Sequence, residues 1–472
     1  MANDNNRQVF RFFRILTCAL FLLLATRITY VIFFTKEDIK IYKDPKISSE
    51  VVRGEIVDRN QNLLAIQTEQ YALSIDIDKI SNVENLSVKI SPYLFISSDE
   101  IERMIRESQK RTIVIDGISR QVASSLSSLI ERDNLEDVLY LFHYSGRSYP
   151  AGYHLSTLIG NVDINNHGIS GIEKEYDEIL LPYPELDKKI TYGSNLTLTL
   201  DLPIQYMLDS QINRLKDVSE IKNLKGVILD ARNGNVIACS SYPFDTQLEA
   251  TYEPGMIIEL LSAALALEKG HEDYIGRLES LESLSNEEIY SFFTSLFSYS
   301  DNTSIPDETE SWSKEDRKQI LSGHKFTSDA LSIASALSSL SDGKVKKPIV
   351  VKQIYNSNDR TIEERKDESK AIFSAETIAT IKGYLKNRAI SDPYFSSLED
   401  VDVLSASIFS SERSSTFAFV PEDEPKYLIY ITKSEEDDSS LNGDTALLTQ
   451  QIIKGLLSQG KLDAKNQKRL EI

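Results

Sequence analysis

A serine followed three residues later by a lysine puts a nucleophile and a base on one helical face, one turn apart. A desolvated lysine can then take the serine proton. The 472-residue chain contains this spacing as Ser311-Trp312-Ser313-Lys314 and as Ser458-Gln459-Gly460-Lys461. The first lies in an acidic, polar segment and the second close to the C-terminus. Neither opens an apolar helix, so both are read as chance. A long apolar helix is expected from Gly255 to Leu267, directly after Tyr252-Glu253-Pro254-Gly255. Its first turn holds Met256 and, three residues on, Glu259. A thioether cannot attack a carbonyl to form an ester, and a carboxylate has no ammonium to complete a proton relay. The next serine, Ser262, is followed at the same spacing by Leu265. Glu259 sits among isoleucines, leucines and alanines, where an ionised carboxylate must be paired, wet or protonated. Either it lines a cleft and meets Ser300 or Asn302, or it points into a water-filled groove and has no task. The triplet Ser300-Asp301-Asn302 has two readings as well: one wall of a polar cleft, or a capping turn of the kind these residue types favour.

Other chemistries find little support. The two cysteines, Cys18 in an apolar run and Cys239 in an expected strand, give neither a disulfide framework nor a metal cluster. Both read as packing residues. The five histidines show no metal-ligand spacing, so no metal is implied, and no cofactor is expected. With 52 basic against 72 acidic residues the formal charge is −20, a surface that repels nucleic acid.

Residues Ile15 to Phe34 are apolar except for Thr17, Thr26, Arg27 and Thr29, about the length a spanning helix needs. Arg7, Arg11 and Arg14 precede the run and predict a cytoplasmic N-terminus with the bulk of the chain outside. No small-residue cleavage site follows, so an uncleaved single-pass anchor is expected. Arg27 would reach the outer interface by snorkelling.

The elements that must position these residues are legible in outline. Alternation from Tyr71 to Ile77 predicts a half-buried strand. Ser97 to Ser108 opens with a serine cap and acids and continues at helical spacing. After Gly193, Leu196, Leu198 and Leu200 alternate with polar residues, and a helix is expected from Pro203. Gly226 to Asp230, Asn233-Gly234 and Val236 to Cys239 predict a hairpin. Phe417 to Val420 and Tyr427 to Ile431 are two further strands. Strands flanking a helical middle section predict an α+β domain, an antiparallel sheet covered by helices.

Several stretches together resemble one family. Val52-Arg53-Gly54-Glu55-Ile56-Val57-Asp58-Arg59-Asn60 with Leu64-Ala65 resembles the R-G-x-I-x-D-R-N-G-x-x-L-A opening of class B penicillin-binding proteins, with Gln61 in place of the second glycine. Arg147-Ser148-Tyr149-Pro150, Leu158-Ile159-Gly160 and Gly168 to Tyr176 resemble the block R-x-Y-P…L-G…G-x-x-G-x-E-x-x-Y. Leu198-Thr199-Leu200-Asp201 with Gln205 resembles the entry to the transpeptidase domain. Tyr252-Glu253-Pro254-Gly255 resembles the Y-E-P-G before the nucleophile, and Phe326-Thr327 through Ser341-Asp342-Gly343 to Pro348 resembles the helix that ends in A-N-G-G. Ala25-Thr26-Arg27 resembles the arginine at the outer end of the family's anchor.

The resemblance implies five parts: a cytoplasmic tail over 1–14, a transmembrane helix over 15–34 and an elongated pedestal (dimerisation-like) domain over 36–190. A transpeptidase domain of the penicillin-binding and serine β-lactamase kind would follow over 191–460, with a polar tail over 461–472. It also implies acyl transfer through a serine ester. At the motif positions, however, Met256 stands for the nucleophile and Glu259 for the lysine, while Ser300 and Asn302 preserve only the form of S-x-N. K-T-G is missing: no lysine occurs between Lys386 and Lys426 and no glycine between Gly383 and Gly443. Arg413 is the one nearby cation considered as a stand-in. The expectation is a pseudoenzyme of peptidoglycan synthesis or cell division, in the cytoplasmic membrane of a bacterium. As scaffold or regulator it would bind a polytopic peptidoglycan glycosyltransferase and divisome or elongasome membrane proteins. The alternatives are a transpeptidase with a displaced nucleophile such as Ser262, and a non-catalytic sensor of stem peptides.

Overall fold

A computed structural model describes residues 50–108, 111–163, 165–185, 189–218, 223–243, 250–271, 284–307, 309–410, 413–434 and 443–464. The expected tail 1–14, anchor 15–34 with Arg27, and Cys18 lie outside the described residues. Among those described, no helix is long and apolar enough to cross a membrane. The contacts divide the chain into two compact units. The smaller comprises residues 1–51 and 183–191, and within it the Glu185 N–H donates to Thr191 Oγ1 at 3.0 Å. All elements named below belong to the larger unit, residues 52–182 and 192–472.

Its first part is built on strands β1 (Ile56–Val57), β2 (Leu63–Asp76), β3 (Thr112–Ile118) and β4 (Leu139–Ser148), with helices α1 (Val83–Leu94), α2 (Ser98–Glu107) and α3 (Arg120–Asp133). Each helix starts at a side-chain cap: Asn82 accepts from the Asn85 N–H, Ser97 from Glu100 and Ser119 from Val122. Successive strand side chains point to opposite faces. Leu73, Ile75 and Leu139 therefore bury against Leu86, Ile90, Ile101, Ile105, Leu126 and Leu129 of the three helices. Each such burial is worth about 1.5–3 kcal/mol. The strand expected from Tyr71 to Ile77 is the end of the much longer β2.

The second part runs β5 (Asn195–Leu198), α4 (Leu202–Val218), β6 (Leu224–Asp230), β7 (Val236–Tyr242), α5 (Glu259–Glu268), α6 (Asn286–Leu296), α7 (Lys314–Leu321) and α8 (Ala330–Asp342). It continues with β8 (Val351–Tyr355), β9 (Thr361–Glu364), α9 (Ala375–Ser391), β10 (Leu404–Phe409), β11 (Arg413–Val420), β12 (Tyr427–Ser434) and α10 (Asp444–Ser458). One sheet crosses the expected boundary near residue 190: its order is β9-β8-β5-β1-β2-β3, with β4 also on β2. Strand β5 runs parallel to β1, Ile56 opposite Leu196.

The other sheet has five antiparallel strands in the order β10-β11-β12-β6-β7. Its alternation makes a three-layer α/β/α sandwich. Ile228, Ala418, Ile429 and Ile431 face Ile204, Leu208, Ile212 and Ile452 of α4 and α10. Val227, Phe417, Phe419 and Tyr430 face Leu261, Ala264, Ile333 and Leu337 of α5 and α8.

Two expectations need correcting in detail. The helix after Pro254 begins as a 3₁₀ turn over Gly255–Ile258, and regular α-helix starts only at Glu259. Gly255 has φ +68°, which a helical residue cannot have, so the chain enters through a tight turn. Of the tail expected over 461–472, the first two residues are held to the fold: Lys461 Nζ donates to Asp201 Oδ2 at 2.6 Å and Leu462 is buried.

Candidate functional site

The turn that presents Met256 is held from both sides. Tyr252 and Ser328 exchange backbone hydrogen bonds of 3.0 Å each way, and the Gly255 N–H donates to the Gly323 carbonyl at 2.9 Å. Gly323 has φ +82°, and a Cβ there would lie 2.1 Å from the Gly255 carbonyl oxygen, so the two glycines meet backbone to backbone. Beyond the turn, Ile257, Ile258, Leu260, Leu261, Ser262, Ala263 and Ala264 are all buried. Met256 keeps 38% of its surface exposed. Glu259, one turn on, is half-buried, so the structure does bring these two positions to one face. Burial pushes the Glu259 carboxyl above its ordinary range, and the neighbouring His324 offsets part of this. His324 Nδ1 in turn lies 3.4 Å from Glu253 Oε2.

Ser300 and Asn302 follow α6, and the structure does not bring Glu259 into hydrogen-bond contact with either among the described residues. Ser300 Oγ accepts the Asn302 N–H at 3.2 Å and the Thr303 hydroxyl at 2.8 Å, and it lies 2.7 Å from Ser332 Oγ. Ser332 Oγ is also 2.9 Å from Oδ2 of Asp329, the residue that caps α8 through the Ser332 N–H. Asn302 itself is exposed. The Ser300 hydroxyl thus ties this loop to the start of α8.

The remaining expected residues are placed as follows. Ser262 is fully buried and donates to the Leu321 carbonyl at 2.7 Å. Strand β10, where the resemblance places K-T-G, is the sheet edge and reads Leu404-Ser405-Ala406-Ser407-Ile408-Phe409. Ser405 Oγ is buried there without a partner among the described residues. Of the two chance Ser-x-x-Lys matches, Ser313 caps α7 and Lys461 pairs with Asp201. Cys239 is a buried packing residue whose thiol is pushed up to about 12 by burial. Among the described residues no His, Cys, Asp and Glu group is arranged to hold a metal.

Two cations gather beneath the turn. Arg413 stacks on the Tyr252 ring at 4.1 Å and donates from Nε to the Glu253 carbonyl at 3.2 Å. Lys225 lies 5.3 Å from the same ring and donates to the Ala250 carbonyl at 2.6 Å. Lys225 is buried, and burial draws its ammonium down to about 8 against the pull of Asp329. Sequence reasoning considered Arg413 without a place for it and passed over Lys225. The signal for the latter was a lone lysine within the otherwise apolar strand Leu224 to Leu229. Chemically, the turn offers an exposed thioether, a carboxylate that holds its proton more firmly than usual, and cations already engaged with an aromatic ring and carbonyls. That set contains no nucleophile next to a base.

Residues 48–185 match the penicillin-binding protein dimerisation domain. The chain is 24% identical over 281 residues to the penicillin-binding protein PbpB of Mycolicibacterium smegmatis, covering 46% of this chain and 42% of that protein. It is 24% identical over 308 residues to stage V sporulation protein D of Bacillus subtilis, covering 57% and 47%. To the peptidoglycan D,D-transpeptidase FtsI of Escherichia coli K12 it is 24% identical over 254 residues, covering 46% and 43%. The chain thus spans less than half the length of these curated relatives. Among solved structures, penicillin-binding protein 3 of Mycobacterium tuberculosis in complex with aztreonam superimposes with a TM-score of 0.65 at 16% identity, over 88% of this chain and 98% of that one. A peptidoglycan synthetase from Bifidobacterium adolescentis gives a TM-score of 0.63 at 16% identity, over 88% and 97%. Motifs, domain match and fold agree: residues 48–185 carry a penicillin-binding protein dimerisation domain, and the chain is similar in sequence and fold to class B penicillin-binding proteins.

Proposed function

We propose that this protein serves peptidoglycan synthesis and cell division without forming an acyl-enzyme, as a membrane-anchored scaffold or regulator with its N-terminus in the cytoplasm. The observation that carries this reading is Met256, exposed in the turn after Tyr252-Glu253-Pro254-Gly255 where the resemblance puts the nucleophile. Glu259 replaces the lysine on the same face, and the edge strand β10 has neither the lysine nor the glycine of K-T-G. A displaced nucleophile at Ser262 is disfavoured by its complete burial and its bond to Leu321.

The proposed partners are a polytopic peptidoglycan glycosyltransferase and divisome or elongasome membrane proteins, held through the pedestal and the anchor. The family's pedestal motifs are well kept here: Arg53, Arg147 and Glu173 form one buried ion cluster. The experiment is affinity purification of the full chain from membranes in mild detergent, followed by mass spectrometry. Co-recovery of a polytopic glycosyltransferase or division proteins, lost when the pedestal is deleted, is the expected result. Recovery of the protein alone contradicts the scaffold reading and favours a stem-peptide sensor.

A further inference from the structure

A cavity lies on the face of the β3-β2-β4 sheet that α1 to α3 leave uncovered. Its volume is about 820 Å³, and its lining includes Ala72 and Gln70 of β2, Val114 of β3, and Phe142 and Tyr144 of β4. These positions share a face by strand alternation, and the register confirms it: Ala72 stands opposite Phe142 and Gln70 opposite Tyr144. The neighbouring positions Tyr71, Leu73, Ile113 and Leu141 pack toward the helices instead. A volume of this size is in the range of specific binding sites, roughly 300–1,000 Å³.

Three further observations say what would fit. First, β4 pairs with β2 alone among the described strands, so its other edge is open to an added strand from Leu139 to Tyr144, beyond which the Ser145 and Arg147 carbonyls already accept from Asn166 and Gln70. Proteins usually blunt such edges with lysine, proline or a bulge, and this strand has none of them. Second, large apolar side chains stand open on this face: Val114 is 54% exposed, Tyr140 46% and Phe142 44%. Third, two buried polar atoms belong to residues lining the cavity, Arg147 Nη2 and Tyr149 OH, and neither has a partner among the described residues. Both are donors. Arg147 is otherwise anchored, with Nε on Glu173 at 2.7 Å and Nη1 on the Gly54 carbonyl at 2.7 Å, so its third nitrogen is rigidly held.

We propose that this cavity binds an extended, carboxylate-bearing segment of a partner protein, laid along the free edge of β4. Main-chain bonds to the edge supply affinity, alternate side chains fill the apolar face, and the carboxylate accepts from Arg147 and Tyr149. The proposal rests on the scaffold reading and names the chemistry of the partner segment. An apolar small molecule would use the face and leave the strand edge and the two donors idle.

The test uses the full chain and two fluorescently labelled heptapeptides of alternating valine and threonine, one ending in a free carboxylate and one in a carboxamide. Anisotropy should show the acid bound about ten-fold more tightly, the scale of one charge-assisted hydrogen bond. Phe142→Asp, at an exposed position, should abolish binding of both peptides, and Tyr149→Phe should narrow the preference for the acid. Amides of Leu139 to Tyr144 should exchange more slowly in the bound state. Equal affinity for acid and carboxamide, binding indifferent to Phe142→Asp, or no binding of either peptide would each overturn the proposal. If the same preparation retains its membrane partners and is not acylated by penicillin, only the cavity assignment falls and the scaffold reading stands.

Discussion

Glu259 and Lys225 are the two charged groups near the Met256 turn whose titration burial shifts. Glu259 is half-buried, holds its proton more firmly than a free glutamate, and has only His324 to moderate it. Lys225 is buried beneath Tyr252, with its pKa drawn from 10.5 to about 8. Between those two values the unfolded chain keeps a proton that the folded chain has released, so stability should rise with pH across that window. Denaturant unfolding from pH 7 to 10.5 should show this rise, and Lys225→Met should flatten it. An unchanged slope in the variant would mean that Lys225 is hydrated in the folded protein. The same logic explains why Met256 is tolerated: a neutral, flexible thioether at a partly exposed position asks nothing of its neighbours.

At the scale of elements, the turn before α5 depends on Gly323 and Gly255 meeting without side chains. Gly323→Ala should destabilise the chain by about 2 kcal/mol or more. The residue is left-handed and its new methyl would press on the Gly255 carbonyl. A loss below about 0.5 kcal/mol, read from the denaturation midpoint, would show that the loop shifts freely. The elements themselves were largely legible in the sequence. Ser97 announced α2, Asn233-Gly234 the turn between β6 and β7, and the alternation from Leu196 the strand β5. The 3₁₀ entry to α5 was not legible, because its cause is the backbone of Gly323, some seventy residues away. Nor was the bond between Ser300 and Ser332, since three polar residues in a row carry no signal of their distant partners. The place of Arg413 over Tyr252 likewise follows from the pairing of β11 with β12 and has no local signature.

Across the whole molecule, the unit that runs from residue 52 is tied together by charge as well as by the sheet of β9-β8-β5-β1-β2-β3. Glu173 is fully buried and accepts from Arg53 Nε and Arg147 Nε at 2.7 Å each, while Arg53 also reaches Asp177. Removing the central carboxylate strands two buried guanidinium groups. Glu173→Leu should therefore cost about 3–5 kcal/mol in urea denaturation. A cost under about 1 kcal/mol would mean that the cluster is dispensable and that these motif residues are kept for another reason. A rigid pedestal is what the proposed docking role needs.

The measurement that bears most directly on this account is labelling of the purified full chain with a fluorescent penicillin, run beside the Met256→Ser, Glu259→Lys double variant. The account predicts no covalent adduct on the parent chain. It also predicts little or none on the double variant, because β10 still lacks the lysine and glycine of K-T-G. A stable adduct on the parent chain, lost in Met256→Ala, Glu259→Ala or Ser262→Ala, would contradict the central claim and establish a working nucleophile in this cleft.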